Sequence, residues 1–129
     1  MKADFKVCVI IPTYNEAENL PEIVAKLFAL DLPNLNILIV DDDSPDGTGV
    51  IADRIAEDEP ARIRVLHRNA KTGIGPAYID GFNAALALGT EVVFQMDADL
   101  SHSPESIPAM LQLLETADVV VGSRYVDGG

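Results

Sequence analysis

The sequence contains no tryptophan, one cysteine, few basic residues and no long apolar run. A lone cysteine cannot build a disulfide framework, which favours a reducing compartment, and Cys8 lies in an apolar run typical of a buried core. The first apolar stretch is interrupted by Asp4 and ended by Pro12, unlike a secretory signal. No run approaches the roughly 18 residues needed to span a bilayer. The sequence therefore predicts a soluble stretch of chain.

The balance of charge narrows the possible partners. Nine basic and 21 acidic side chains give a formal net charge of −12. Such a chain repels the phosphates of nucleic acids, which argues against a nucleic-acid partner. Hard divalent cations prefer several carboxylate oxygens, so the acidity fits either a cation site or a solvated acidic surface. The placement of the carboxylates has to separate these two interpretations.

Short apolar runs alternate with segments of helical periodicity. The runs that predict strands are Val7–Ile11, Ile37–Val40, Ile63–Leu66, Val92–Met96 and Val119–Val121. The sets with helical spacing are Leu20, Ile23, Val24, Leu27 and Phe28; Ile51 and Ile55; Ile74, Ala77, Tyr78, Gly81, Phe82, Ala85 and Leu86; and Ile107, Met110, Leu111 and Leu114. Pro12 is expected to end the first strand, Ser44 to cap the second helix, and Gly89 to end the third. The alternation predicts an α/β fold, a parallel sheet with helices on both faces, in one domain over residues 1–129.

Polar loops follow the predicted strands, and ligands of open parallel sheets bind outside the carboxyl ends of strands. Asp97 and Asp99 follow the fourth strand and are separated by one residue, so both carboxylates can converge on one divalent cation. A helix cap or a solvated loop explains the same pair, because Asp-x-Asp is a common sequence. The position after a buried strand keeps the metal interpretation open.

Other polar residues at strand ends carry weaker signals. Asp42 fits two interpretations equally well: an acceptor of hydrogen bonds from a base or a ribose hydroxyl, or an acidic residue that favours the start of a helix. For Asp43 and Asp46 the helix start is the better explanation. Arg124 follows the fifth predicted strand and presents a fork of donors to a phosphate, or is an ordinary surface arginine. Gly73-Ile74-Gly75 lacks the spacing of a dinucleotide fingerprint.

Taken in order, five motifs resemble the inverting family 2 glycosyltransferases, and most closely the polyprenol (dolichol) phosphate mannosyltransferases. They are Ile11–Glu16, Asp41–Thr48, Gly73–Tyr78, Asp97–His102 and Gly122–Tyr125. The resemblance implies a GT-A type, Rossmann-like, mostly parallel sheet. It also implies a GDP-mannose donor, a polyprenyl phosphate acceptor and Mg²⁺ or Mn²⁺ as cofactor.

The resemblance also assigns roles by motif. Pro12, Tyr14 and Glu16 are expected to line the base and ribose pocket, and Val40 and Asp42 to contact the nucleoside. A further set is expected to meet the diphosphate: Asp97 and Asp99 as metal ligands and catalytic residues, Ala98 beside them, and Arg124 near the diphosphate or sugar.

Two departures from the family pattern stand out. Asp43 occupies a position where the family usually has glycine, which bears on the local turn geometry. The chain also stops at Gly129, before the segments that bind the acceptor in related domains. We therefore expect a truncated, nucleotide-sugar-binding part that is inactive alone. The full-length protein is expected to be cytoplasmic and to contact the membrane face through segments absent here.

The sequence leaves two alternative functions open. A related family 2 transferase using UDP-glucose fits as well, because a carboxylate such as Asp42 accepts an N–H from guanine or uracil. Ile37–Asp43 and Val92–Asp97 also resemble strands of a Mg²⁺-binding receiver domain. Against that reading, a strand and helix precede the acids, and no lysine follows Lys71.

Overall fold

A computed structural model describes residues 6–68, 74–99 and 104–113. Its elements are β1 (Val7–Thr13), α1 (Leu20–Phe28), β2 (Leu35–Asp41), α2 (Thr48–Asp58), β3 (Ile63–His67), α3 (Ile74–Ala87), β4 (Val92–Gln95) and α4 (Ser106–Leu113). The first four predicted strands and the four predicted helices are confirmed, with ends that shift by a few residues. The fifth predicted strand, 119–121, lies outside the described residues.

Within the described part of the chain, the strands form one parallel sheet in the order β3-β2-β1-β4. Val9 of the central strand β1 is paired with Ile37 on one side and Phe94 on the other. A parallel pair needs a crossover connection, and here each crossover contains a helix. The predicted parallel α/β architecture is confirmed.

Pro12 does not end β1, contrary to the prediction. The strand continues to Thr13, and Pro12 is paired with Val40. The carbonyl of Thr13 accepts from Asp42 on the β2 side, whereas the carbonyl of Ile10 accepts from Met96 on the β4 side. Because backbone groups alternate sides along a strand, the missing N–H of Pro12 lies on the β4 side, where pairing stops at Ile10.

Both faces of the sheet are covered by helices, as predicted. Alternate β1 residues such as Val9 and Ile11 belong to the larger core cluster, with buried residues of α1, α2 and α4. Cys8 and Ile10 belong to the smaller cluster on the opposite face, under α3. Cys8 is therefore a core residue, and burial raises the pKa of its thiol to about 11.

The prediction that the apolar residues of α3 form one buried face is only partly correct. Gly81 and Ala85 are buried, but Phe82 and Leu86 are exposed. A Cβ at Gly81 would lie 2.7 Å from Cγ2 of Ile10, so the helix approaches the sheet along Gly81 and Ala85 and turns Phe82 and Leu86 outward. Gly89, with φ 79°, follows the end of the helix as predicted. None of the helices in the described ranges is both long and apolar enough to cross a bilayer.

The start of α2 also differs from the prediction. The residue before the helix is Gly47, in a left-handed conformation with φ 89°, and Ser44 is not the cap. The Ser44 hydroxyl donates to Oδ1 of Asp41 at 2.6 Å instead. The Ser44 side chain therefore bonds to the end of the preceding strand, three residues earlier, and not to the first turn of α2.

Candidate functional site

The polar loops after β1, β2 and β4 lie at one edge of the sheet. Thr13 and Asp41 are paired at the ends of β1 and β2. The N–H of Met96 donates to the carbonyl of Ile10 at 3.0 Å, and Asp97 follows directly. We call this the carboxyl edge, formed by the strand ends at Thr13, Asp41 and Gln95 and the loops that leave them. Three of the polar loops that follow predicted strands therefore lie at one edge, as expected, and the loop after the fifth predicted strand lies outside the described residues.

Asp41 is a structural centre of the carboxyl edge, a role that the sequence did not reveal. Its buried carboxylate accepts from the Thr13 hydroxyl at 2.8 Å, from the Ser44 hydroxyl at 2.6 Å and from the Ser44 N–H at 3.2 Å. Buried charges persist where hydrogen bonds satisfy them. Asp41 therefore holds the ends of β1 and β2 and the following turn together.

The loop after β1 is bound to the loop after β2 by three backbone donors. They are the N–H groups of Asn15, Glu16 and Ala17, which donate to Ser44 Oγ at 3.0 Å, Thr48 Oγ1 at 3.0 Å and Asp46 Oδ2 at 3.2 Å. The Thr48 hydroxyl donates to Asp46, which lowers the pKa of that carboxyl and keeps it an acceptor. The two loops form one connected wall.

Three predicted nucleoside-contacting residues lie on or beside this wall. Pro12 is half-buried at the end of β1, and Tyr14 is 38% exposed. Glu16 is half-buried, and its Oε1 accepts from the Asn19 amide at 3.2 Å. Their adjacency agrees with a common pocket, and their contact with a ligand stays a prediction.

Val40 and Asp42 lie on either side of Asp41 at the end of β2. The Val40 side chain is fully buried in the cluster beneath α3, so any contact with a ligand falls to its backbone. The N–H of Asp42 donates to the Thr13 carbonyl at 3.1 Å, and its side chain is also buried. Oδ1 of Asp42 accepts from Nη1 of Arg68 at 3.1 Å.

Sequence reasoning missed Arg68. The site residues predicted from the sequence follow the first, second, fourth and fifth predicted strands, and none follows the third. Arg68 directly follows β3, whose last residue, His67, is paired with Asp41. A cation placed there adjoins the acidic run after β2. That position was the available signal.

The turn after β4 presents two carboxylates around a buried alanine. Ala98 is buried in the larger core cluster, Asp97 is half-buried and Asp99 is exposed. Within the part of the chain that the structure describes, no three histidine, cysteine or acidic residues form a complete metal cage. Two hard oxygen donors fit a cation whose remaining positions are taken by water or substrate oxygens. Arg124 lies outside the described residues.

Residues 8–129 match the family model described as glycosyl transferase family 2. The chain therefore belongs to glycosyltransferase family 2. This membership leaves the receiver-domain interpretation without support.

Two curated relatives are each 50% identical to the chain. One is the polyprenol monophosphomannose synthase of Mycolicibacterium smegmatis, aligned over 96% of this chain and 47% of that protein. The other is the undecaprenyl-phosphate mannosyltransferase of Micrococcus luteus, aligned over 96% of this chain and 50% of that protein. The chain thus spans about half the length of these relatives.

A solved structure has the same fold. The mannosyltransferase from Pyrobaculum calidifontis, in complex with GDP-Man and Mn²⁺, superimposes with a TM-score of 0.73 at 31% identity. The match covers 88% of this chain and 33% of that one. Together with the parallel sheet, it confirms the predicted GT-A type, Rossmann-like fold.

Proposed function

We propose that the protein is a polyprenyl phosphate mannosyltransferase and that residues 1–129 hold its GDP-mannose donor. One observation carries the proposal: at the carboxyl edge, the central strand β1 separates Asp42 on one side from the Asp97–Asp99 turn on the other. A nucleoside diphosphate sugar has the same division, with a base that offers N–H donors and a diphosphate that attracts a cation. The relatives at 50% identity support mannose transfer to a polyprenyl phosphate.

The nucleoside would lie over the end of β1. Pro12 and Tyr14 would flank the base and ribose, Glu16 would accept from ribose hydroxyls, and Asp42 would accept from the base. Three hydrogen bonds hold the backbone of the loop that carries Tyr14 and Glu16 against the segment after β2, without any donor present. Such preorganisation reduces the entropy lost on binding.

The diphosphate would lie over the turn after β4. Asp97 and Asp99 would hold a Mg²⁺ or Mn²⁺ ion, and Arg124 would approach the diphosphate or sugar. When bound, the ion supplies Lewis-acid stabilisation of the negative charge on the departing diphosphate. Ala98, buried between the two carboxylates, anchors their turn to the core.

The acceptor chemistry requires little of the protein. A phosphate monoester has its second pKa near 6, so it is already an ionised nucleophile at neutral pH. The anomeric carbon would form a bond to the acceptor phosphate oxygen as its bond to GDP breaks, with inversion. No strong general base is needed for this step. A polyprenyl acceptor would place the complete protein at a membrane surface.

Calorimetric titration of the full-length protein tests the donor assignment. GDP, UDP and GDP-mannose are titrated with and without Mn²⁺. We expect GDP and GDP-mannose to bind in the presence of Mn²⁺, more tightly than UDP. Tighter binding of UDP than of GDP would contradict the GDP-mannose assignment and indicate a uridine diphosphate sugar as the donor.

A second assay tests the acceptor. Radiolabelled mannose from GDP-mannose should appear on a polyprenyl phosphate in detergent micelles and not on the free alcohol of the same chain length. Equal labelling of both lipids would refute the phosphate acceptor.

A further inference from the structure

Arg68 joins two carboxylates that belong to different elements. Its Nη1 donates to Oδ1 of Asp42 at 3.1 Å, and its Nε lies 3.0 Å from Oδ2 of Asp80 on α3. The Arg68 N–H also donates to the carbonyl of Asp41 at 2.8 Å. Both the backbone and the guanidinium of Arg68 are therefore fixed at the carboxyl edge.

The two ion pairs differ in their surroundings. Arg68 and Asp42 have side chains that are 12% and 7% exposed, whereas Asp80 is 50% exposed. A half-exposed ion pair contributes little to stability because solvent screens it. A buried carboxylate, by contrast, depends on its partner and takes the orientation that this partner imposes. The main effect of the ion pair with Asp80 is therefore to orient the Arg68 guanidinium, and its contribution to stability is small.

We propose that Asp80 and Arg68 are positioning residues that orient the Asp42 carboxylate toward the donor base and favour guanine over uracil. The inference rests on the proposed function, in which Asp42 reads the base. The hydrogen bond from Arg68 is made to Oδ1 of Asp42. Each carboxylate oxygen has two lone pairs, so Oδ1 can accept from Arg68 and from the ligand at the same time, and Oδ2 can accept a second ligand donor. Arg68 thus constrains the carboxylate through Oδ1.

The chemistry of the two bases explains the preference. Guanine presents two neighbouring donors, N1–H and the N2 amino group, and a carboxylate accepts both only when its two oxygens lie in the plane of the base. Uracil presents one imino donor, which tolerates rotation of the carboxylate. Loss of the Asp42 carboxylate orientation should therefore weaken the binding of GDP more than the binding of UDP.

Arginine is required for this arrangement, because two nitrogens of one rigid fork serve the two carboxylates. A lysine offers one ammonium nitrogen on a flexible stem and cannot reproduce both directions. Arg68→Lys is therefore expected to weaken selection for guanine although it keeps the positive charge.

The test measures GDP and UDP dissociation constants, in Mn²⁺, for the full-length protein and four variants. Asp80→Ala should weaken GDP binding about tenfold, the lower end of what loss of an outer hydrogen-bonding partner costs at metal sites, and should change UDP binding much less. Asp80→Glu should restore most of the GDP affinity. Arg68→Lys should resemble Asp80→Ala. The melting temperature of Asp80→Ala should stay within about 2 °C of the parent.

Asp53→Ala is the matched control. Asp53 is 54% exposed, and its Oδ1 lies 2.9 Å from Nε2 of His67, the neighbour of Arg68. The substitution therefore removes a side-chain contact of similar exposure without touching Asp42. We expect this variant to bind both nucleotides like the parent.

The outcomes separate the two hypotheses. A parent protein that binds neither nucleotide refutes the proposed function, and the inference falls with it. A parent that prefers GDP, together with an Asp80→Ala variant that keeps the full preference, overturns the inference alone. Equal losses for GDP and UDP, or the same loss in Asp53→Ala, would also overturn it.

Discussion

The hydroxyl of Thr13 donates a 2.8 Å hydrogen bond to Oδ1 of Asp41, its register partner at the ends of β1 and β2. Both side chains are buried, and the Ser44 hydroxyl meets the same carboxylate oxygen. Ser44 in turn accepts from the N–H of Asn15. A chain of hydrogen bonds thus runs from the strand ends into the loop that carries Tyr14 and Glu16. The geometry of the candidate site depends on these buried polar contacts.

Thr13→Val should destabilise the fold by about 1–3 kcal/mol, because the isosteric side chain leaves the buried Asp41 carboxylate short of a donor. Urea unfolding followed by circular dichroism measures the change. Thr13→Ser keeps the hydroxyl and should lose less. If the valine variant is as stable as the parent, the bond to Asp41 is not a significant support of the carboxyl edge.

Gly81→Ala should destabilise by about 1–3 kcal/mol despite the better helix propensity of alanine. The new Cβ would lie 2.7 Å from Cγ2 of Ile10 and 3.1 Å from Cγ2 of Val40, so α3 has to move away from the sheet. Asn83→Ala, at an exposed position of the same helix, should be neutral or slightly stabilising. Thermal unfolding of both variants checks the result. Equal stabilities would contradict the close approach at Gly81.

Cys8 should resist thiol reagents in the folded protein. It is 1% exposed, and burial raises the pKa of its thiol from the ordinary 9.0 to about 11, so very little thiolate exists at pH 8. Because the folded pKa is the higher one, this group's contribution to stability is present below pH 9 and is lost as the pH rises toward 11. Ellman's reagent should react at pH 8 only after denaturant is added. Immediate stoichiometric reaction of the native protein would contradict the burial.

Asp99→Asn should lower metal-dependent mannose transfer by the full-length protein at least about 100-fold, the usual cost of removing one transition-state stabiliser. Asparagine keeps the shape of the side chain and loses the charge that would hold the cation. The exposed Asp99 side chain makes a loss of folding unexpected, and circular dichroism verifies this. Asp31→Asn, at another exposed aspartate, is the control and should transfer normally. Unchanged turnover in Asp99→Asn would remove Asp99 from the proposed mechanism.

Local pattern was enough to predict most of the fold. Leu20, Ile23, Val24 and Leu27 are buried as expected. Apolar residues at helical spacing form one face of the helix, and that face packs against the core. The same reasoning failed in part for α3. Phe82 and Leu86 satisfy the period, yet they are exposed, since the close approach at Gly81 sets which side of the helix meets the sheet.

Asp43 shows how a departure from the family pattern is accommodated. Its φ is 58°, in the left-handed region where the family's usual glycine is favoured. Aspartate tolerates this region better than most residues, because its short polar side chain bonds locally. The turn therefore keeps a backbone conformation that glycine favours, although an aspartate occupies the position.

The sequence by itself determined the succession of strands and helices along the chain, the parallel character of the sheet and the family. These follow from the periodicity of the hydrophobic residues and from the ordered motifs. Tertiary structure alone decided the passage of β1 through Pro12, the hydrogen bond from Thr13 to Asp41 and the arrangement of Arg68 between Asp42 and Asp80. Each of these depends on which polar groups meet across strands distant in the chain. No local spacing encodes such a meeting, since hydrogen-bond partners are selected only when the sheet has formed.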